Sequence, residues 1–148
     1  MADTKVVVIP EGKICDYIDG KFRNDTPEEY VRQTIEKRLV NEHKYLPSQI
    51  KVEYTLQVGS RKPRADIVIW DRDVADRSQG NIKLIIECKK ETVPLTQKVI
   101  DQACRYNLVL QVPFLCLTNG TQQICCQVDF ENKQLLPIPE LPKYHKKS

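Results

Sequence analysis

The sequence predicts a mixed α/β domain, a single β-sheet flanked by helices, in the order α-β-β-β-α-β-β. Three observations predict it. A capped helix start at Thr26-Pro27-Glu28-Glu29 precedes three successive runs of strand character at 50–58, 64–70 and 82–89. A second helical stretch at 95–110 then separates the third run from a fourth at 113–118, as a crossover between strands requires. The third run, with Leu84-Ile85-Ile86 at its middle, is the most apolar, which suits a central and buried strand.

Each element has its own local reason. Residues 1–25 are mixed, with apolar runs at 6–10 and 14–22, and read as an arm or a hairpin. In the first helix Thr26 is the N-cap, Pro27 sits at N1, and Glu29 at N3 completes a capping box. Val31, Ile35 and Leu39 recur at helical spacing to about His43, and Leu46-Pro47 closes the segment. The run 50–58 puts Val52, Tyr54, Leu56 and Val58 on one face until Gly59-Ser60 breaks it. Arg64 to Trp70 is rich in β-branched residues, and 71–81 is a polar loop containing Gly80. The second helix begins after Pro94, and the fourth strand ends at Asn119-Gly120, a turn through which 122–128 can pair back. The folded domain is therefore expected over 26–130. Residues 131–148, with three prolines and a Lys-Tyr-His-Lys-Lys run, read as an extended tail.

Composition narrows the chemistry. The 148 residues, 41% hydrophobic and 29% charged, suffice for one compact domain with a core. The 23 basic and 20 acidic residues leave a mild net +3, which neither demands nor excludes a nucleic-acid partner. The five glycines are scattered, so a glycine-rich phosphate cradle is absent and no ATP motor is expected. Any phosphate must be handled by side chains and metal. Six cysteines without a Cys-x-x-Cys pair, and two histidines, argue against zinc. Cys88, Cys104 and Cys116 lie in apolar runs and read as packing residues of a reduced protein. His43 and His145 are expected at the surface. No stretch approaches the ~20 apolar residues of a membrane span, so a soluble, cytoplasmic chain without a membrane partner is expected.

The informative feature is polar. Asp66 lies in Arg-Ala-Asp-Ile-Val-Ile-Trp, and Glu87 and Lys89 end the most apolar strand. Residues two apart in a strand share a face, so Glu87 and Lys89 point the same way. If strands 64–70 and 82–89 pair, Asp66 approaches Glu87. Two ionised carboxylates converging at a sheet face cost several kcal/mol to bury unless a cation joins them. A hard divalent ion such as Mg²⁺ accepts one or two carboxylates, and a neighbouring lysine can orient an attacking water or neutralise charge on a phosphate. The bland alternative is a set of solvated strand-end charges, with Glu87 and Lys89 in salt bridges.

These residues resemble the PD-(D/E)xK nuclease superfamily: Asp66, then 20 residues, then Glu87-Cys88-Lys89, with Ala65 in place of the motif's proline. A closer resemblance is to the N-terminal nuclease domain of type I restriction enzyme cleavage (R) subunits. It is carried by Thr-Pro-Glu-Glu-Tyr-Val-Arg-Gln at 26–33, Arg-Ala-Asp-Ile-Val at 64–68 and Ile-Glu-Cys-Lys at 86–89. It continues through Leu-Thr-Gln at 95–97, Asp-Gln-Ala-Cys-Arg-Tyr-Asn at 101–107 and Leu-Thr-Asn-Gly at 117–120. The resemblance implies a restriction-endonuclease-like core and a metal-dependent DNA endonuclease activity. It implies Mg²⁺, with Mn²⁺ able to substitute, as the cofactor.

It also assigns roles. Asp66 and Glu87 would hold the metal and Lys89 would assist the water or stabilise charge. Gln102 and Tyr106 match the Gln-x-x-x-Tyr signature that follows the catalytic strand. The first helix of the superfamily often adds an acidic residue. Glu28 falls on the Val31–Ile35–Leu39 stripe and is favoured over Glu29 for the metal, with pairing to Arg32 as its bland alternative. Arg61, Lys62, Arg64 and Lys90 flank the trio as a candidate DNA-contacting rim. Implied partners are DNA and the methylase, motor or specificity subunits of a restriction system, with a homodimer also open. The rival expectation is a non-catalytic nucleic-acid-binding or assembly module that retains the nuclease fold.

Overall fold

The computed structural model describes residues 8–71 and 77–144. Its elements run β1 (Lys13–Cys15), β2 (Phe22–Asn24), α1 (Pro27–Asn41), β3 (Ile50–Thr55), β4 (Arg64–Trp70) and β5 (Ile82–Cys88). They continue as α2 (Gln97–Leu110), β6 (Phe114–Thr118), β7 (Gln123–Asp129) and β8 (Gln134–Ile138). The first two strands pair antiparallel as a hairpin within the N-terminal segment. The other six form one mixed sheet in chain order, in which only β5 and β6 are parallel. Helix α2 is the crossover between them, as the sequence order demands.

Strand alternation divides the core into two layers. On one face Val31, Ile35 and Leu39 of α1 pack on Ile67, Ile69, Leu84 and Ile86. On the other, Val99, Ala103 and Leu110 of α2 cover Val68, Ile85, Leu115 and Leu117. Each such aliphatic side chain stabilises the fold by about 1.5–3 kcal/mol when removed from water, which pins the register of β4 and β5. A one-residue slip would turn both rows to the wrong helix. Cys88, Cys116, Cys125 and Cys126 are buried, and all six cysteines are free, in line with a packing role.

The structure differs from the sequence reading in four places. Helix α2 starts at Gln97, capped by the Thr96 hydroxyl, which accepts the Val99 N–H. Strand β3 stops at Thr55, and within it the backbone at Glu53 turns left-handed, with φ 52°, and breaks the alternation expected through Val58. The segment read as an extended tail carries β8, which pairs with β7 at the sheet edge, where Pro137 needs no ladder partner on its outer side. Beyond it Leu141 is buried, and the Tyr45 hydroxyl donates to the Pro142 carbonyl at 2.6 Å. Finally, His43 is buried rather than at the surface, since the same closing segment covers it and Tyr144 N–H donates to its carbonyl. His145 lies outside the described residues. Among the described residues no helix is long and apolar enough to cross a membrane.

Candidate active site

The site forms where β4 and β5 end their pairing. Antiparallel register sets Ile67 against Ile86 and Val68 against Ile85. One step further, Asp66 faces Glu87. The ladder stops at this point, and the Asp66 carboxylate replaces it, accepting the Cys88 N–H at 2.8 Å. On the other side Lys89 N–H donates to the Thr118 carbonyl at 2.8 Å, so β6 holds the backbone of the lysine just past the strand end. The Asp66 carboxylate and the Lys89 backbone are therefore each held by a main-chain hydrogen bond.

Glu87 and Lys89 point the same way, as period-two geometry requires, and line a cavity of about 150 Å³ beneath α2 together with Arg64 and Gln102. Its floor is apolar: Ile85, Leu115 and Leu117. Gln102 thus lines the same cavity as the carboxylate and the lysine. Tyr106 falls one turn later on α2, and its side chain lies outside the described residues.

The Glu87 carboxyl is pushed up to about 8 from its ordinary value. Burial is the largest cause, followed by the Asp66 charge and a hydrogen bond shared with it, while Lys89 pulls the other way. A carboxyl in this position must take up a proton or a cation near neutral pH. Hard carboxylate oxygens in a half-buried pair, open on a cavity and flanked by a lysine, fit a small divalent ion that keeps most of its waters. Among the described residues no group of three or more His, Cys, Asp or Glu donors is gathered for a metal.

Glu28 accordingly stands apart from the pair. Its side chain is exposed on the first turn of α1, not on the buried stripe where spacing placed it, because the buried face of the helix begins only at Val31. Its charge still acts on Glu87 and raises it. The capping box is half formed: Thr26 Oγ1 accepts the Glu29 N–H at 3.1 Å, but the Glu29 carboxylate turns to the Arg32 guanidinium. Arg61, Lys62, Arg64 and Lys90 are all exposed, as a rim would be.

Sequence reasoning missed an ionic network behind the site. Arg32, only 5% exposed in its side chain, bridges Glu29 on its own helix and Glu53 on β3. Burial pulls its basicity down, but the two carboxylates outweigh burial and hold it above the usual value. Glu53 also meets Arg23 of β2 and Arg64 of β4. Further along α1 the fully buried Glu36 faces Asp16 of the hairpin. Burial first, then Asp16, pushes Glu36 up to about 9, so it stays a neutral acid. Burial also raises Asp16, yet Glu36, the N–H groups of Asp19 and Ile18, and the Gln33 amide together hold it below its ordinary value. A visible signal existed: Arg32, Gln33 and Glu36 share the α1 turns that carry Val31 and Ile35, and too many polar residues for one solvated stripe surround them.

Comparison with known proteins places this architecture. The family model described as "Type I restriction enzyme R protein N terminus (HSDR_N)" matches residues 27–142. Among solved structures the chain is similar to the type IIG restriction endonuclease BpuSI, at 25% identity and a TM-score of 0.53. That match covers 79% of this chain and 13% of the other. No curated protein matches.

Proposed function

We propose, because this chain belongs to the family of type I restriction enzyme R protein N-termini, that its site hydrolyses DNA phosphodiester bonds with a divalent cation. The observation that carries the reading is the convergence of Asp66 and Glu87 at the strand ends, where burial first and the Asp66 charge second raise Glu87 to about 8. Mg²⁺, or Mn²⁺ in its place, would supply positive charge where the phosphoryl oxygens gain negative charge. Asp66 and Glu87 would hold it, with Asp66 kept in place by the Cys88 N–H.

Lys89 shares the face of Glu87 and is suited to orient the attacking water and to stabilise the charge that builds on the phosphate. Gln102, across the cavity on α2, has an amide that can hydrogen-bond the phosphate or the lysine. Tyr106 is proposed to assist from the same helix. Glu28 acts from the first turn of α1 through its charge on Glu87. Arg61, Lys62, Arg64 and Lys90 would contact flanking DNA phosphates, which screens with salt. The proposed setting is cytoplasmic, with the methylase, motor or specificity subunits of a restriction system as partners, or a second copy of the chain.

The test is Mg²⁺-dependent cleavage of plasmid DNA by the wild type, Asp66→Ala and Lys89→Ala. Both variants are expected to fold and to lose cleavage by about 100-fold or more. Undiminished cleavage in either would remove the assignment. A second reading, a DNA-binding or assembly module that retains the fold without cutting, draws on the two-carboxylate donor set. It predicts DNA binding with no cleavage at any Mg²⁺ or Mn²⁺ concentration.

A further inference from the structure

We propose that Glu53 is a positioning residue for the carboxylate site, a role that rests on the nuclease reading above. Register supports it first. β3 pairs with β4 as Val52 with Ile67 and Tyr54 with Ala65, so Glu53 lies across from Asp66. Asp66 in turn lies across from Glu87. The three acidic residues thus stand at one level of three adjacent strands, with Glu53 itself unpaired where the ladder is interrupted.

The backbone supports it second. Glu53 has φ 52°, in the left-handed region that residues with a Cβ adopt rarely and at a cost of about 1–3 kcal/mol. Glycine or asparagine would relieve that cost, yet a glutamate stands here. The side chain accounts for it. Its carboxylate meets guanidinium groups from three elements: Arg32 Nη1 of α1 at 3.3 Å, Arg23 Nη2 of β2 at 3.7 Å and Arg64 Nη1 of β4 at 4.0 Å.

These contacts give the residue a specific task. The buried Arg32 grips Glu29 with its other nitrogen, so the first turn of α1, which carries Glu28, is tied through one cation to the strand beside Asp66. Arg64 stands two residues before Asp66 and lines the cavity with Glu87 and Lys89. Glu53 ties the helix that carries Glu28 to the strand beside Asp66 through the buried Arg32, and its longer contact reaches the exposed Arg64 at the rim. It touches no reacting group itself. Sequence alone could not single it out, since a glutamate in a half-buried strand reads as a solvated position.

The test titrates Mn²⁺ by calorimetry into the full chain as wild type, Glu53→Gln, Glu53→Gly and Asp66→Ala, with thermal unfolding of each recorded in parallel. Both Glu53 variants are expected to fold, to bind Mn²⁺ about 10-fold more weakly, and to lose kcat for DNA cleavage with KM little changed. Glycine matters because it relieves the left-handed strain, so weaker binding there traces to the carboxylate. Wild-type Mn²⁺ affinity in Glu53→Gln, with binding abolished in Asp66→Ala, overturns the positioning role and leaves the nuclease reading standing. Loss of the folded state in both Glu53 variants also overturns it, since the residue would then serve the fold and not the site. No Mn²⁺ binding by the wild type removes both.

Discussion

Two pairs of carboxyl groups in this molecule face the same electrostatic problem and sit in opposite surroundings. Asp66 and Glu87 converge at the end of β4 and β5, half-buried, and Glu87 opens on a cavity with Lys89 on its own face. Asp16 and Glu36 converge between the hairpin and α1, where Glu36 is 0% exposed. In each pair one member is raised, Glu87 to about 8 and Glu36 to about 9, with burial as the leading cause. The sealed pair is resolved internally: Asp16 takes the Ile18 and Asp19 N–H groups and the Gln33 amide, and Glu36 keeps its proton. The open pair has one backbone donor among the described residues, the Cys88 N–H on Asp66, and under the proposed reading an exogenous cation would complete it. On the proposed reading, what separates a structural acid pair from a functional one is access and the supply of internal donors, not the size of the shift.

The contrast breaks most visibly in activity. Asp66→Ala is expected to lower cleavage by about 100-fold or more, as above, whereas Glu36→Gln should leave cleavage within about twofold of wild type when assayed at pH 7. A plasmid-nicking time course on both variants decides it.

Stability against pH probes the sealed pair next. The folded-state value of Glu36 lies above the unfolded one, so the folded chain holds a proton that the unfolded chain has released between pH 4.5 and about 9. Stability from this group is thus present below pH 4.5 and declines as pH rises through that window. Glu36→Gln removes the titration while an amide can still donate to Asp16. It is expected to be more stable than wild type by on the order of 2 kcal/mol at pH 8, and to converge with it near pH 4. Urea unfolding at the two pH values measures this, and a parallel pH dependence in both proteins would contradict it.

A smaller effect sharpens the boundary between the regions, because α1 serves both. Thr26→Ala removes the hydroxyl that accepts the Glu29 N–H and should cost about 1 kcal/mol. Since Glu36 lies more than two turns away, the sealed pair should keep its pH dependence, whereas the turn that carries Glu28 frays. Thermal unfolding at pH 5 and pH 8 tests both parts.

How much of this was legible in the sequence follows from which forces act locally. Strand β4 was read to its bounds and β5 to within one residue, because β-branched and apolar runs bounded by polar loops carry their own signal. The convergence of Asp66 and Glu87 was legible for the same reason, as a carboxylate that ends an apolar strand violates its pattern. β8 was hidden by its proline, which edge pairing tolerates. Glu36 was marked only by the polar residues crowding the α1 stripe, because what buries it is the hairpin that carries Asp16, twenty residues upstream, and no window along α1 contains that contact. The left-handed backbone at Glu53 was hidden because the groups its side chain meets are three arginines from three separate elements. Long-range ionic packing leaves no periodic trace.

The central claim, that the open pair takes a cation and the sealed pair a proton, is tested most directly by Mn²⁺ calorimetry at pH 7 on the wild type, Glu87→Gln and Glu36→Gln. Saturable binding to the wild type and to Glu36→Gln, and none to Glu87→Gln, is the expected result. Undiminished binding to Glu87→Gln, or loss of binding in Glu36→Gln, would contradict it.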